Sequence, residues 1–462
     1  MTRRTLLVGA GAGVLGVLLA SCTPEPTPSP TPDTRPPSPR PTGAGVVPSA
    51  FARSAWTKDA FSRGAASFTP TGVQQGTRDA LAVPVLGRLF FAGEATDTVA
   101  PGTMAAAVRS GARAAEDLLN AAAYGERVAI IGAGLAGAAA ASRLSGTGLQ
   151  LTVFEARDRV GGRVHSVVDD KTWPFPAQLG GWLLDDSDTE LTELLAPLDL
   201  RTESLTSALW RSVDGEAASD IEPVSSQPVA DAIAAAQALP ADESLAQALT
   251  DVGADPAEPG LAALLAALAA ISGVDADDTS SWFPPALPPA ERTAVLGDLG
   301  ALFASMLDGV KVSLSSPVGR VAYDDAGVSL GIATGESLSF DRVLVTVPLG
   351  VLQSDGIQFA PALPFTHRGA IADLGMGRIE TVWMRFDEPL TDTEATMWHV
   401  VDGDVMIRTW VNLAPVTGEN VVVGIVGGSA AADFAKLDDD SALAAALNSL
   451  APFIDAAATP AP

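Results

Sequence analysis

Between Arg127 and Arg163 the chain reads RVAIIGAGLAGAAAASRLSGTGLQLTVFEARDRVGGR, the stretch with the clearest capacity for chemistry. Gly132, Gly134 and Gly137 stand at G-x-G-x-x-G spacing, with Leu135 and Ala136 between the last two. In a dinucleotide site the first glycine makes a tight turn, the second lets backbone approach a pyrophosphate, and the third lets a helix pack close to a strand. The free N–H groups at that helix's N-terminus favour phosphate. A glycine triplet alone is a weak signal, since an Ala/Gly-rich helical turn has the same letters. Here the elements around it agree. Val128 to Ile131 reads as a short buried strand, the Ala-rich stretch as a helix, and Leu149 to Phe154 as a second strand ending at Glu155, which can accept hydrogen bonds from a ribose diol. These residues are compatible with NAD and with FAD.

Composition narrows the partners. The 462 residues carry 28 Lys+Arg against 55 Asp+Glu, a formal charge of −27. That excludes nucleic acid, whose phosphates need clustered cations, and is compatible with drawing in cationic substrates. With one cysteine and three histidines, a disulfide scaffold, a Cys cluster and a His-based zinc site are all excluded, so no metal is expected. His165, His367 and His399 are scattered and read as structural or exposed.

The first segment reads as an address. Arg3-Arg4 precede an apolar run from Leu6 to Ala20 that ends in Leu19-Ala20-Ser21-Cys22, an export signal whose ending resembles the bacterial lipobox. An uncleaved anchor helix is the alternative. From Thr23 to about Pro48, alternating Pro, Thr and Ser favour an extended, semi-rigid tether.

After Glu155 come Ala156-Arg157-Asp158-Arg159-Val160-Gly161-Gly162-Arg163. A basic, double-glycine extension directly after the acid resembles the two-motif FAD proteins, specifically the flavin-containing amine oxidases of monoamine, polyamine and L-amino-acid oxidase type. The resemblance implies that Arg157, Gly162 and Arg163 help hold the diphosphate and adjoining groups, and that Leu179-Gly180-Gly181 lines the flavin. Ser316-Pro317-Val318 and the run from Asp341 to Val351 resemble the family's middle adenine-side strand and the crossover to its substrate domain. Ala360 to Pro364 and Ala370 to Gly377 continue the resemblance in order.

A second group lies upstream. Phe90 to Thr96 (with Gly93 and Glu94), then Gly102-Thr103-Met104, then Ser110-Gly111-Ala112-Arg113, resemble the flavin-binding motif that normally closes the family's chains. Trp56, Asp59, Phe61 and Gly64 resemble its penultimate segment, and the chain stops soon after Val421 to Ser429. This order implies a circular permutation, with a helix from Ser110 to Ala122 joined by Tyr124-Gly125-Glu126 to the first strand. A leftover of a lost upstream domain is the alternative.

The substrate side departs from the family, whose members often cage the amine between two tyrosines. The matching positions fall near Ala66 and Thr103, and the only tyrosines are Tyr124 and Tyr323. An aromatic cage would come from Trp56, Phe68, Trp398 or Trp410. Trp182 replaces the usual Gln or Ser after the double glycine. Thr381 occupies the place of a lysine that, in the family, reaches the flavin's reactive nitrogen through water; a neutral hydroxyl gives less electrostatic help there. Thr381, Trp182 and Trp410 are therefore the candidate catalytic residues.

The expected fold class is α/β: a Rossmann-like FAD-binding domain plus an α+β substrate domain with a mixed sheet and a helical insertion, arranged as a circularly permuted amine oxidase fold. The expected organisation is 1–22 signal, 23–48 linker, 49–84 substrate-domain segment, 85–205 FAD domain, 206–304 substrate domain with the helical insertion (Ala257 to Ser272 buried), 305–350 FAD domain and 351–462 substrate domain. The resemblance implies hydride transfer from the carbon beside a neutral amine to non-covalent FAD, then hydrolysis of the imine, with oxygen or another electron acceptor. No side-chain base is required. A flavin dehydrogenase or desaturase on an apolar substrate, and a non-catalytic FAD-binding envelope protein, are the competing readings. The expected location is the outer face of the cytoplasmic membrane, touched only through a lipid at Cys22.

Overall fold

Short apolar runs between glycines give the first layer. A computed structural model describes residues 46–185, 188–213, 218–289 and 291–454; the signal, Cys22 and most of the linker lie outside them. Five parallel strands stand in the order Lys311–Ser313, Gln150–Phe154, Arg127–Ile131, Arg342–Val345 and Leu89–Phe91. Val128 to Ile131 and the whole of Arg342–Val345 are buried, as a parallel sheet covered on both faces requires. Leu89–Phe91 comes first in the chain yet forms the edge beside Arg342–Val345.

Helices Met104–Ala121 and Leu135–Leu144 cover one another through small residues. A Cβ added at Gly111 would lie 2.3 Å from the Ala136 carbonyl oxygen, so the two backbones nearly touch. Ala114, Ala115 and Ala138 to Ala141 are buried around that approach.

The second layer is a seven-stranded mixed sheet, in the order Ala50–Arg53, Ile379–Arg385, Val421–Gly427, Thr409–Asn412, Met397–Val400, Ala208–Ser212 and Ser219–Ile221. Its pairs are antiparallel except Met397–Val400 with Ala208–Ser212. Helices Gln227–Ala236, Leu245–Asp251 and Pro259–Ser272 form the helical part. The last starts with Pro259 in its first turn and the Glu258 carboxyl accepting from Leu261 N–H at 2.8 Å, and stops at Gly273 with φ +78°. None of the described helices is long and apolar enough to cross a membrane. By their contacts, the described residues form one unit.

Candidate active site

One cavity of about 830 Å³ runs from the glycine turn to the mixed sheet. Its first wall is the turn itself. Gly132 has φ +109°, and a Cβ there would meet Thr346 Oγ1 at 2.7 Å. Gly134, Leu135 and Ala136 line the cavity; Gly137 does not, because it packs the helix onto the turn, where an added Cβ would lie 1.9 Å from the Gly132 carbonyl oxygen. Glu155 is buried at the wall, with Oε2 accepting from Ala133 N–H at 2.8 Å and Oε1 from Arg157 N–H at 2.9 Å. The carboxylate is thus held at the end of its strand, where a ribose would meet it.

Arg157 donates through Nη2 to Asp59 Oδ1 and to Ser62 Oγ at 2.8 Å, while Arg163 Nη1 donates to Ala65 O at 2.6 Å and Glu94 Oε1 at 2.8 Å. These arginines tie the glycine half to the upstream segment. Glu94 is 4% exposed; its Oε2 accepts from Ser67 Oγ at 2.6 Å and from Gly102 N–H at 2.9 Å. Burial pushes its carboxyl up, but Arg163, the Ser67 hydroxyl and Arg78 together hold it below the ordinary value, so it stays ionised.

Thr103 caps its helix by accepting from Ala106 N–H at 3.1 Å, and Thr103, Met104 and Val318 all line the cavity. Leu179, Gly180, Gly181 and Trp182 form its floor. The Leu179 carbonyl accepts from Trp56 Nε1 at 2.7 Å and from Thr381 Oγ1 at 3.3 Å. Gly180 leaves no room for a side chain, since an added Cβ would lie 1.9 Å from the backbone oxygen of Arg163; at Gly181 it would lie 2.8 Å from Met104 Sδ, so the Met104 side chain would have to move.

The residues fit a flavin dinucleotide. The volume lies in the range of cofactor pockets. Gly93 (φ +131°) lines the cavity, and a Cβ there would meet no protein atom within 4 Å, so it would occupy only the space left for a ligand.

Of the aromatic candidates, Trp56 and Trp182 line the cavity, as do Ala66 and Thr103, the positions where the family has its cage. Trp410 does not. It is fully buried, faces Trp398 across paired strands, and packs in a core with Val382, Met384 and Phe434, its Nε1 donating to Ile407 O. A catalytic role for Trp410 is therefore withdrawn, and Trp398 and Phe68 also lie off the cavity wall. Sequence reasoning missed Trp210, which lines the far end with His399 stacked on it at 4.2 Å between ring centroids. No group of three or more His, Cys, Asp or Glu among the described residues could hold a metal ion.

Against the expectation of a structural or exposed residue, His399 is 8% exposed and on the cavity wall. Burial, then Arg292, pushes its pKa down to about 4. Its ordinary value is 6.5, so between these pH values the unfolded chain binds the proton more tightly and stability falls as pH drops through that window. The expected loss from pH 7 to pH 4 at this residue is about 3 kcal/mol. Melting temperatures across that range should show His399→Gln losing less than the native chain; parallel curves would refute it.

A family model described as flavin containing amine oxidoreductase matches residues 43–119 and 232–462, and one described as NAD(P)-binding Rossmann-like domain matches 130–198. The chain belongs to the flavin-containing amine oxidoreductase family. It is an FAD-dependent oxidoreductase acting on amines. It is 28% identical to polyamine oxidase 4 of Oryza sativa subsp. japonica over 347 residues, 68% of this chain and 70% of that protein. It is 26% identical to lysine-specific histone demethylase 2 of Homo sapiens over 69% of this chain and 43% of that one. Cyclohexylamine oxidase from Brevibacterium oxydans IH-35A superposes with TM-score 0.59 at 21% identity, over 73% of this chain and 83% of that chain. Wild-type putrescine oxidase bound to putrescine gives 0.57 at 21%, over the same shares. At such identities the structural likeness establishes the fold.

Proposed function

We propose that this protein oxidises a small primary or secondary amine in the arm of the cavity between Trp182 and Trp210. The observation that carries this reading is continuity: one cavity joins the glycine turn, the Leu179–Gly181 floor and an aromatic arm in the mixed sheet. FAD, when bound, supplies a hydride acceptor for the carbon beside the neutral amine, and water hydrolyses the resulting imine to a carbonyl compound and ammonia or amine. The chain's part is to bind and orient. Glu155 would hold a ribose, the N-termini of Leu135–Leu144 and Met104–Ala121 would face the cofactor's polar groups, and Trp56 and Trp182 would exclude water and fix the approach of the substrate carbon. FAD would be non-covalent, since the only cysteine is Cys22. Anaerobic addition of simple amines to the purified protein tests the reading; none of them bleaching the visible flavin absorbance would end it.

Thr381 favours a second electron acceptor besides oxygen. Its hydroxyl is neutral and spends its proton on the Leu179 carbonyl at 3.3 Å. Comparing peroxide yield with dye reduction is expected to favour the dye, and Thr381→Lys should raise the peroxide share by about tenfold. A native enzyme already giving one peroxide per amine would remove this reading.

The chain order supports a circular permutation. Leu89–Phe91 completes the sheet beside Arg342–Val345, and the helix Met104–Ala121 packs on Leu135–Leu144, with only 122–126 between that helix and Arg127–Ile131. A rearranged gene that moves 46–122 behind 454 should still give a yellow, active protein; an insoluble or colourless product would count against it. For location, the Arg3-Arg4 start and the Leu-Ala-Ser-Cys22 ending support an exported lipoprotein on the outer face of the cytoplasmic membrane. Fatty-acid labelling that persists in Cys22→Ser would refute the anchor.

A further inference from the structure

Beneath the double-glycine floor three indoles fall into a line. Trp182, directly after Gly180-Gly181, lines the cavity. Its ring lies 5.2 Å, centroid to centroid, from that of Trp383, tilted by 55°. Trp383 in turn meets Trp173 edge to face, at 6.2 Å and 89°. Three separate segments supply these rings. Trp383 belongs to Ile379–Arg385, where it shares a face with Thr381, the cavity residue two positions earlier. Trp173 follows the exposed residues Asp169, Asp170 and Lys171, where the chain turns, and its backbone N–H donates to Asp169 O at 2.9 Å.

Core packing accounts for the middle of this line but not for its ends. Trp383 is fully buried, and its Nε1 donates to Gln178 O at 2.8 Å. Trp173 is almost as buried, yet its Nε1 has no hydrogen-bond partner among the described residues and is not sealed from solvent. A buried indole N–H normally finds a partner, and this one meets water. The line therefore starts at the cofactor cavity and ends at the surface. Phe175, 6.3 Å from Trp383, is a side branch whose benzene ring gives up an electron far less readily than an indole. FAD in the dark does not oxidise indole, but FAD excited by blue light is a strong one-electron oxidant.

We propose that Trp182, Trp383 and Trp173 conduct single electrons from the protein surface to light-excited FAD, so that the illuminated protein reduces its cofactor without an amine. Trp182 gives one electron to the excited cofactor. Trp383 refills Trp182 and Trp173 refills Trp383, so the vacancy moves outward. At Trp173 the indole radical cation releases its Nε1 proton to water, and a thiol then returns one electron and one proton. Two such rounds oxidise one dithiol to its disulfide and deliver two electrons to FAD, which takes two protons from water. The outward steps make the transfer last: without Trp383 the electron falls back to Trp182. The proposal needs FAD in the cavity and does not depend on amine oxidation.

The test illuminates the FAD-loaded protein with blue light, without oxygen or amine and with excess dithiothreitol, while visible absorbance and flavin emission are followed. The native protein should bleach in the light and stay yellow in the dark. Trp383→Phe and Trp173→Phe should each lose most of the bleaching rate. Trp282→Phe, whose native indole is tied to Ala236 O instead, should bleach like the native protein. Flavin emission in Trp383→Phe should stay as weak as in the native protein, because the first transfer, from Trp182, is intact. Trp173 lies off the cavity wall, so its variant decides the matter even where Trp383→Phe releases FAD. Native-rate bleaching in Trp173→Phe or in FAD-loaded Trp383→Phe, an equal loss in Trp282→Phe, or a native protein that stays yellow in the light would each overturn the proposal.

Discussion

Gly137→Ala should purify colourless where the native protein is yellow. The added Cβ would lie 1.9 Å from the carbonyl oxygen of Gly132 and 3.0 Å from Thr346 Oγ1. Neither neighbour can yield. Gly132 sits in a turn at φ +109°, and Thr346 Oγ1 is committed to the carbonyls of Ile131 at 2.9 Å and Gly132 at 3.2 Å. The helix Leu135–Leu144 would have to back away, yet its other side already touches Gly111. Overpacking of this kind costs about 3 kcal/mol, and any shift of the helix withdraws its first N–H groups from the phosphates. The expected result is a loss of FAD affinity of about a hundredfold or more, with a lower melting temperature. Gly134→Ala provides the contrast. Its Cβ would find the nearest protein atoms at 3.9 and 4.0 Å, so the apoprotein should keep its stability while FAD binding weakens. A yellow Gly137→Ala protein melting with the native one would remove the packing argument.

That site was legible because its requirements are local: a turn, a helix start and a strand end within 30 or so residues impose their own letters. The substrate arm was not, because strand pairing assembles it from remote segments. Alternation shows why. Along Met397–Val400, Met397 and His399 line the cavity and Trp398 is in the core; along Thr409–Asn412, Thr409 lines it and Trp410 is in the core. A strand turns alternate side chains to opposite faces, so an error of one residue exchanges cavity and core. Here both faces are covered, so hydrophobicity does not tell them apart. Arg292 was equally silent, since a lone arginine after a run rich in proline and alanine has nothing to mark it until Leu183–Leu184 pairs beside it.

Glu380→Ala should cost about 4 kcal/mol and loosen the floor of the active site. In Ile379–Arg385, Thr381 lines the cavity and Glu380 points to the other face, where Val382 and Met384 are core residues; a fully buried carboxyl in that row needs donors. It has three. Ser54 Oγ donates to Oε2 at 2.5 Å, Trp56 N–H to Oε2 at 3.1 Å and Thr57 N–H to Oε1 at 2.8 Å. Removing the acceptor orphans donors in a buried place, at about 1–3 kcal/mol for each that water cannot reach. The same bonds reach the site. Ser54 Oγ accepts from Thr381 N–H at 2.9 Å, and Trp56 Nε1 donates to the Leu179 carbonyl beside the double glycine. With the clamp gone, the indole of Trp56 should move toward water, red-shifting tryptophan emission, and FAD should dissociate more readily. Glu380→Gln is the graded control: its single oxygen can serve two donors, but its amide N–H₂ must face the third, so it should fall between native and alanine in both melting temperature and flavin retention. A Glu380→Ala protein with the native melting temperature would mean that water replaces the carboxyl there, and that the 54–57 segment is held by its remaining bonds to Thr381 and Leu179 and by the adjoining strand Ala50–Arg53 paired with Ile379–Arg385.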